Sequence, residues 1–229
     1  MKMPDDEPTN LLNPPGLSGW GYFKTHIGLF YDMGEYGVIY TDTRSPYFVN
    51  KVANLDITDG ESNYEMADFL RDNWNRDIEG LVKITSIFIG ECDALHKALF
   101  MRIKNATSVD NTQKAQNVLD LDKEDEILMF RMELLPYIGL NHPDLSKVEM
   151  INRVATAAYN IATTTGITLT DLKPANYGFR EDGSAAIFDF NIDELDFTPN
   201  LKAYKAMISS TALAHGDLKP AFEPYENLY

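Results

Sequence analysis

Between Trp20 and about Ala53 the chain alternates aromatic and β-branched residues with polar ones. Turn formers interrupt it at Asp32-Met33-Gly34, at Gly37 and from Asp42 to Pro46. Alternation with a period of two predicts half-buried strands, and the breaks predict the turns between them. Over 61–76 the period lengthens. Tyr64, Ala67, Phe69, Leu70 and Trp74 recur at helical spacing and predict an amphipathic helix. Further strands are expected near 82–89 and 98–104. Helix formers dominate from 113 to 138, with Met129 and Met132 among them, and a helix-like stretch is expected there. The clearest helix covers 146–165. Val148, Ile151, Ala155, Ala158 and Ala162 line one face, Ser146 and Glu149 form a capping box, and Gly166 supplies the stop.

Strands first and helices later predict an α+β body in two lobes, 20–104 and 105–229, joined near Met101 to Asn105. Residues 1–19 are rich in proline and turn formers and read as a flexible leader. Hydrophobic residues make up 44% of the chain, enough for a packed core. The apolar runs are too short to cross a bilayer, and the first residues lack a secretory pattern. Cys92 is the only cysteine, which excludes an internal disulfide and a cysteine-rich zinc site. A cytoplasmic location is expected.

Charge narrows the functional classes. With 35 acidic and 20 basic residues the net charge is −15, which argues against a nucleic-acid-binding surface. The acidity serves solubility, or it attracts a basic protein partner or imitates nucleic acid, for which the run Asp120 to Glu126 is the local support. His26, His96 and His142 have no metal-ligand spacing, and Trp20 and Trp74 read as packing anchors.

The candidate chemistry lies in 171–191, DLKPANYGFREDGSAAIFDFN. Asp182-Gly183 predicts a two-residue hairpin turn. In that register Glu181 pairs with Ser184 and Arg180 with Ala185, so Asn176 falls opposite Asp189, with backbones roughly 5 Å apart. An amide oxygen and a carboxylate at one end of a hairpin suit magnesium carried in by a nucleoside triphosphate. Asp171, just before, is placed to accept a proton from an attacking hydroxyl.

These residues resemble the catalytic loop and metal-binding Asp-Phe-Gly of the eukaryotic-type protein kinases. The resemblance implies Asp171 as catalytic base, Lys173 as the cation that neutralises the phosphate in flight, and Asn176 and Asp189 as magnesium ligands. Gly34-Glu35-Tyr36-Gly37-Val38-Ile39-Tyr40 resembles the second half of the kinase glycine-rich loop. Val49 and Lys51, two apart on the next strand, share a face. They resemble the residue that floors the adenine and the lysine that grips the phosphates of ATP, with Glu65 as the lysine's candidate partner. In layout the chain is most similar to the small Ser/Thr kinases of tailed bacteriophages. The resemblance thus implies a bilobal protein kinase-like fold, with ATP held at the cleft between the lobes, and a protein substrate, from the host or the chain itself.

There are departures. Asp32 replaces the first loop glycine, Leu169 and Thr170 stand where His and Arg usually precede the catalytic Asp, and Asn191 replaces the last glycine of Asp-Phe-Gly. No Ala-Pro-Glu follows, which implies a reduced peptide-docking platform. Two alternatives stay open: a pseudokinase that blocks a basic protein, and a small-molecule phosphotransferase. A second Asp-Leu-Lys-Pro-Ala at 217–221 has Phe222 where Asn would be needed, and reads as a terminal turn.

Overall fold

The computed structural model describes residues 26–33, 37–55, 64–73, 76–91, 126–193 and 200–214. The expected leader, Gly34, the strand near 98–104, most of the acidic run, both tryptophans and the second Asp-Leu-Lys-Pro-Ala lie outside the described residues. The described chain is mixed α+β, with antiparallel ladders and three helices. It divides into two compact units, Met1–Asn75 with Lys83–Leu134, and Arg76–Val82 with Leu135–Tyr229.

The first unit is a five-stranded sheet. Its strands are β1 (Ile27–Met33), β2 (Val38–Asp42), β3 (Phe48–Asn54), β4 (Ile84–Glu91) and β5 (Glu126–Glu133), in the order β1-β2-β3-β5-β4. Helix α1 (Tyr64–Asn73) packs on β4 and buries Met66, Ala67, Phe69 and Leu70. Over 126–133 the helix expected for 113–138 is corrected by β5, which pairs Lys51 with Phe130 and Asn50 with Arg131 on one side and Ile87 with Phe130 on the other, while 113–125 lie outside the described residues. Ile127, Leu128, Met129, Phe130 and Met132 are all buried, so both faces of the strand are covered. A strand covered on both faces shows no alternation, and helix propensity cannot then discriminate. The chain passes between the two units at 75/76, 82/83 and 134/135, and Met101 to Asn105 lie outside the described residues.

Alternation sorts the sheet into two faces. One carries Ile39, Val49, Lys51, Phe130 and Met132. The other carries Tyr40, Asp42, Phe48, Asn50 and Arg131. On that second face Arg131 donates from Nε to Asp42 Oδ2 at 2.8 Å and from Nη1 to Thr85 Oγ1 at 3.1 Å, with its guanidinium 3.9 Å from the Phe48 ring centroid. Asp42 Oδ1 accepts from the Arg44 and Ser45 amides, each at 2.9 Å, closing the turn into β3. Burial alone would push the Asp42 carboxyl up, but Arg131, the Arg44 amide and Asn50 together hold it below the usual carboxylate range.

In the second unit, β6 (Tyr137–Ile138), β8 (Tyr177–Phe179) and β9 (Ala185–Ile187) form one ladder, and β7 (Thr168–Thr170) pairs with β10 (Asn191–Asp193). Helix α2 (Lys147–Thr165) has the expected capping box, Ser146 with Glu149, and ends on Gly166 at φ 76°. Ile151, Ala155, Ala158 and Ala162 are buried as its spacing requires, joined by Met150, Val154 and Ile161, while Val148 is half-buried. Helix α3 (Leu201–Ala214) packs on α2. The segment Arg76–Val82 belongs to this unit. Leu81 bridges Ile187 in parallel, Ile187 N donates to Gly80 O at 2.8 Å, and Val82 N donates to Ile187 O at 3.0 Å. Gly80, at φ 92°, faces α2 so closely that a Cβ there would lie 2.6 Å from the Cα of Ala157.

Candidate functional site

Asp171 is the first residue after β7, and Asn191 of β10 pairs with Thr170. That ladder alone brings the segment entering at Asp171 beside the one carrying Asp189, two residues before Asn191. The chain between them makes a single 3₁₀ turn, Pro174–Asn176, and then the β8–β9 hairpin. Lys173, extended, precedes Pro174 at the first position of the turn, where the missing N–H of proline costs nothing.

The hairpin register differs from the expected one by one residue. Tyr177 pairs with Ile187, and Phe179 with Ala185, so Asn176 falls opposite Phe188 rather than Asp189. The cause is the turn: Gly183 takes φ 80°, its N–H donates to Arg180 O at 2.9 Å, and Asp182 Oδ1 accepts from the Ser184 amide at 2.8 Å. Three residues, not two, therefore make the loop, the arrangement that ends with glycine in the left-handed region. The side-chain hydrogen bond from Ser184 is the main reason that the Asp182 carboxyl lies below its ordinary range. The slip does not separate the candidate ligands. The carbonyl of Asn176 accepts from both the Phe188 and the Asp189 amides, at 3.0 and 3.2 Å.

Asn176 is buried, and its side chain is oriented by chemistry rather than by choice. Nδ2 donates to Asp171 O at 2.8 Å and to Asp171 Oδ2 at 2.9 Å. Both acceptors are oxygens, so the amide nitrogen must face them and Oδ1 must face the other way. Lys173 Nζ lies 2.8 Å from the same Asp171 Oδ2. Asp171 itself has φ 56°, a left-handed conformation that costs an ordinary residue about 1–3 kcal/mol and persists where surrounding contacts over-determine it. Asp171 and Asp189 are both half-exposed, while Leu169, Leu172 and Phe190 beside them are buried anchors.

The remaining expected residues lie in the first unit. Lys51 is buried on the central strand β3, between Ile39 and Phe130, on the same face as Val49. Its Nζ is 6.0 Å from the Phe130 ring centroid. Gly37 is where the lysine stem needs room, since a Cβ there would lie 2.9 Å from Lys51 Cε. Val49 lines a cavity of about 480 Å³ with Tyr31, Thr41, Arg44, Phe48 and Leu134. Glu65 is exposed in the first turn of α1. The helix turns Met66, Ala67, Phe69 and Leu70 to the core, and that phase points Glu65 outward.

The donor set tests the implied magnesium. Among the described residues no three His, Cys, Asp or Glu side chains gather closely enough to hold a metal on their own. A magnesium ion arriving on a nucleotide takes one or two protein oxygens and keeps phosphates and water for the rest, and Asn176 with Asp189 fits that count. Thr211 of α3, which no motif singles out, also reaches this loop, donating from Oγ1 to Leu172 O at 3.0 Å. Only its place in the fold reveals it. No protein-family model matches the chain, and no curated protein matches it.

Proposed function

We propose that this chain is a magnesium-dependent kinase of bilobal protein kinase-like fold that moves the terminal phosphate of ATP to a serine or threonine hydroxyl of a protein. The observation that carries the reading is the arrangement around Asn176. One amide joins Asp171 through its nitrogen and leaves its oxygen for a cation, while its backbone carbonyl holds the amide of Asp189.

Each residue then has a task its contacts suit. Asp171 Oδ2 is engaged by Lys173 and Asn176, so Oδ1 is the atom left to receive the proton of the attacking hydroxyl. Lys173, held at Asp171, is positioned to neutralise the phosphoryl group as it passes. Asn176 Oδ1 and the Asp189 carboxylate would hold magnesium, which supplies charge neutralisation at the phosphate oxygens. In the first unit, Lys51 offers a buried cation to phosphate, and the cavity at Val49, walled by Pro46, Phe48 and Leu134 on its apolar part and by Thr41, Asp42 and Arg44 on its polar part, has room for a nucleobase. The net charge of −15 favours a basic protein as the substrate.

Incubation of the purified chain with radiolabelled ATP, magnesium and a cell lysate tests the proposal. Labelled protein bands are expected with the wild type and not with Asp171→Ala or Asp189→Ala, each of which keeps its circular dichroism spectrum. Loss of the base alone should slow transfer about a hundredfold or more. Undiminished labelling by both variants sinks the assignment, and labelling of small metabolites alone moves the substrate to that class.

A further inference from the structure

The contacts that hold Asp171 in its left-handed conformation come largely from its own loop. Lys173 N donates to Asp171 O at 2.8 Å, Asn176 N donates to Lys173 O at 2.9 Å, and the Asn176 amide and the Lys173 ammonium close on Asp171 from the same few residues. Such a knot, closed by single hydrogen bonds, opens and turns by local fluctuation. Its aim needs a tether from outside.

Thr211 supplies one from α3. Its hydroxyl is 3.0 Å from Leu172 O, the carbonyl of the peptide that joins Leu172 to Lys173, thirty-nine positions earlier in the chain. The same hydroxyl is 3.0 Å from Ile208 O, one turn back in its own helix. Threonine in a helix is stiff at χ1, and a hydroxyl that bonds the carbonyl three residues back has its oxygen fixed. A proton shared between Ile208 O and Leu172 O therefore comes from a hydroxyl that is already aimed. Around it, Ile208 and Ala212 on α3 and Leu172 on the loop are buried, so the bond is sheltered on its apolar side.

We infer that Thr211 is a positioning residue. Its hydroxyl anchors the Leu172–Lys173 peptide to α3 and thereby sets the direction in which the Asp171 carboxylate and the Lys173 ammonium face the reacting groups. The inference rests on the phosphoryl-transfer reading for its catalytic consequence, but the anchoring itself does not. Thr211 touches no substrate, so its loss should slow the chemical step without weakening nucleotide binding.

Thr211→Val keeps the shape and removes the hydroxyl, while Thr211→Ser keeps the hydroxyl and removes the methyl. Two measurements separate the outcomes. The first is amide hydrogen exchange in the nucleotide-free protein, followed at Lys173 and Asn176, whose N–H groups close the loop. Exchange at both should rise roughly five- to tenfold in Thr211→Val and stay near wild type in Thr211→Ser. The second is steady-state transfer: kcat should fall by roughly the same factor in Thr211→Val with KM for ATP unchanged, and Thr211→Ser should restore it. Unchanged exchange in Thr211→Val overturns the inference, as does a Thr211→Ser variant as impaired as Thr211→Val. Faster exchange with an unaltered kcat reduces Thr211 to a structural tether and also overturns it. A wild-type protein that transfers no phosphate defeats the functional reading instead, and the exchange measurement then decides the anchoring alone.

Discussion

Removing the carboxylate of Asp42 should be among the most damaging single changes outside the candidate site. Its side chain is 0% exposed and that of its partner Arg131 is 5% exposed. The carboxylate accepts from Arg131 Nε at 2.8 Å, Arg131 Nη2 at 3.4 Å, Asn50 Nδ2 at 3.3 Å, and the Arg44 and Ser45 amides at 2.9 Å. In Asp42→Ala the guanidinium keeps Thr85 and the Phe48 ring but loses its counter-charge. Breaking a buried pair by deleting one partner costs about 3–5 kcal/mol. The Arg44 amide can turn to water, so a loss of about 3–4 kcal/mol is expected, a large part of the 5–15 kcal/mol typical of a domain. With a urea slope of about 2 kcal/mol per molar, the midpoint should fall by about 1.5 M or more by circular dichroism. Asp42→Leu combined with Arg131→Met, which removes both charges, should lose less than Asp42→Ala alone.

The pH dependence gives a second handle on the same pair. Because the folded carboxyl is held below its unfolded value, its stabilisation is fully present above about pH 4 and fades as pH falls through the folded value. The gap between wild type and Asp42→Ala should therefore narrow in acid. A midpoint shift under about 0.3 M for Asp42→Ala at neutral pH would refute the reasoning.

Two further outcomes are expected. Asn176→Asp sets an oxygen where Nδ2 now donates to Asp171 Oδ2 at 2.9 Å; phosphate transfer at pH 8 should fall at least about a hundredfold and recover in part toward acid, and a wild-type rate at pH 8 would remove Asn176 from the site. Gly80→Ala adds a Cβ 2.6 Å from the backbone of Ala157 at a φ of 92°, so a loss of about 3 kcal/mol and a melting temperature about 8 °C lower are expected by calorimetry; an unchanged melting temperature would mean that the segment yields.

Helix α2 was legible because its start and stop are written locally, in Ser146, Glu149 and Gly166. Strand β5 was not, because Glu126–Glu133 is covered on both faces and its identity comes from its neighbours β3 and β4. The nearness of Asn176 and Asp189 could be read, since one short hairpin joins them. Its register could not, because Asp182-Gly183 also suits a three-residue loop, and the Arg180–Gly183 and Asp182–Ser184 bonds select it. Lys51 and Val49 share a face by simple alternation, whereas Glu65 depends on the phase of a whole helix. Arg131 was the overlooked clue: a lone cation in an apolar run needs a buried acid, and Asp42, eighty-nine positions away, answers it.

The bridge from Leu81 to Ile187 bears on how the molecule can be made. During synthesis Gly80 and Val82 leave the ribosome more than a hundred residues ahead of the strand that accepts them, and their backbone groups must stay with water until Ile187 arrives. A gene fragment ending at Leu134 would express that seam with nothing to meet it, and one beginning at Leu135 would lack it altogether. The two units are a matter of packing, and no single cut of the chain yields the second one whole or the first one free of the other's seam.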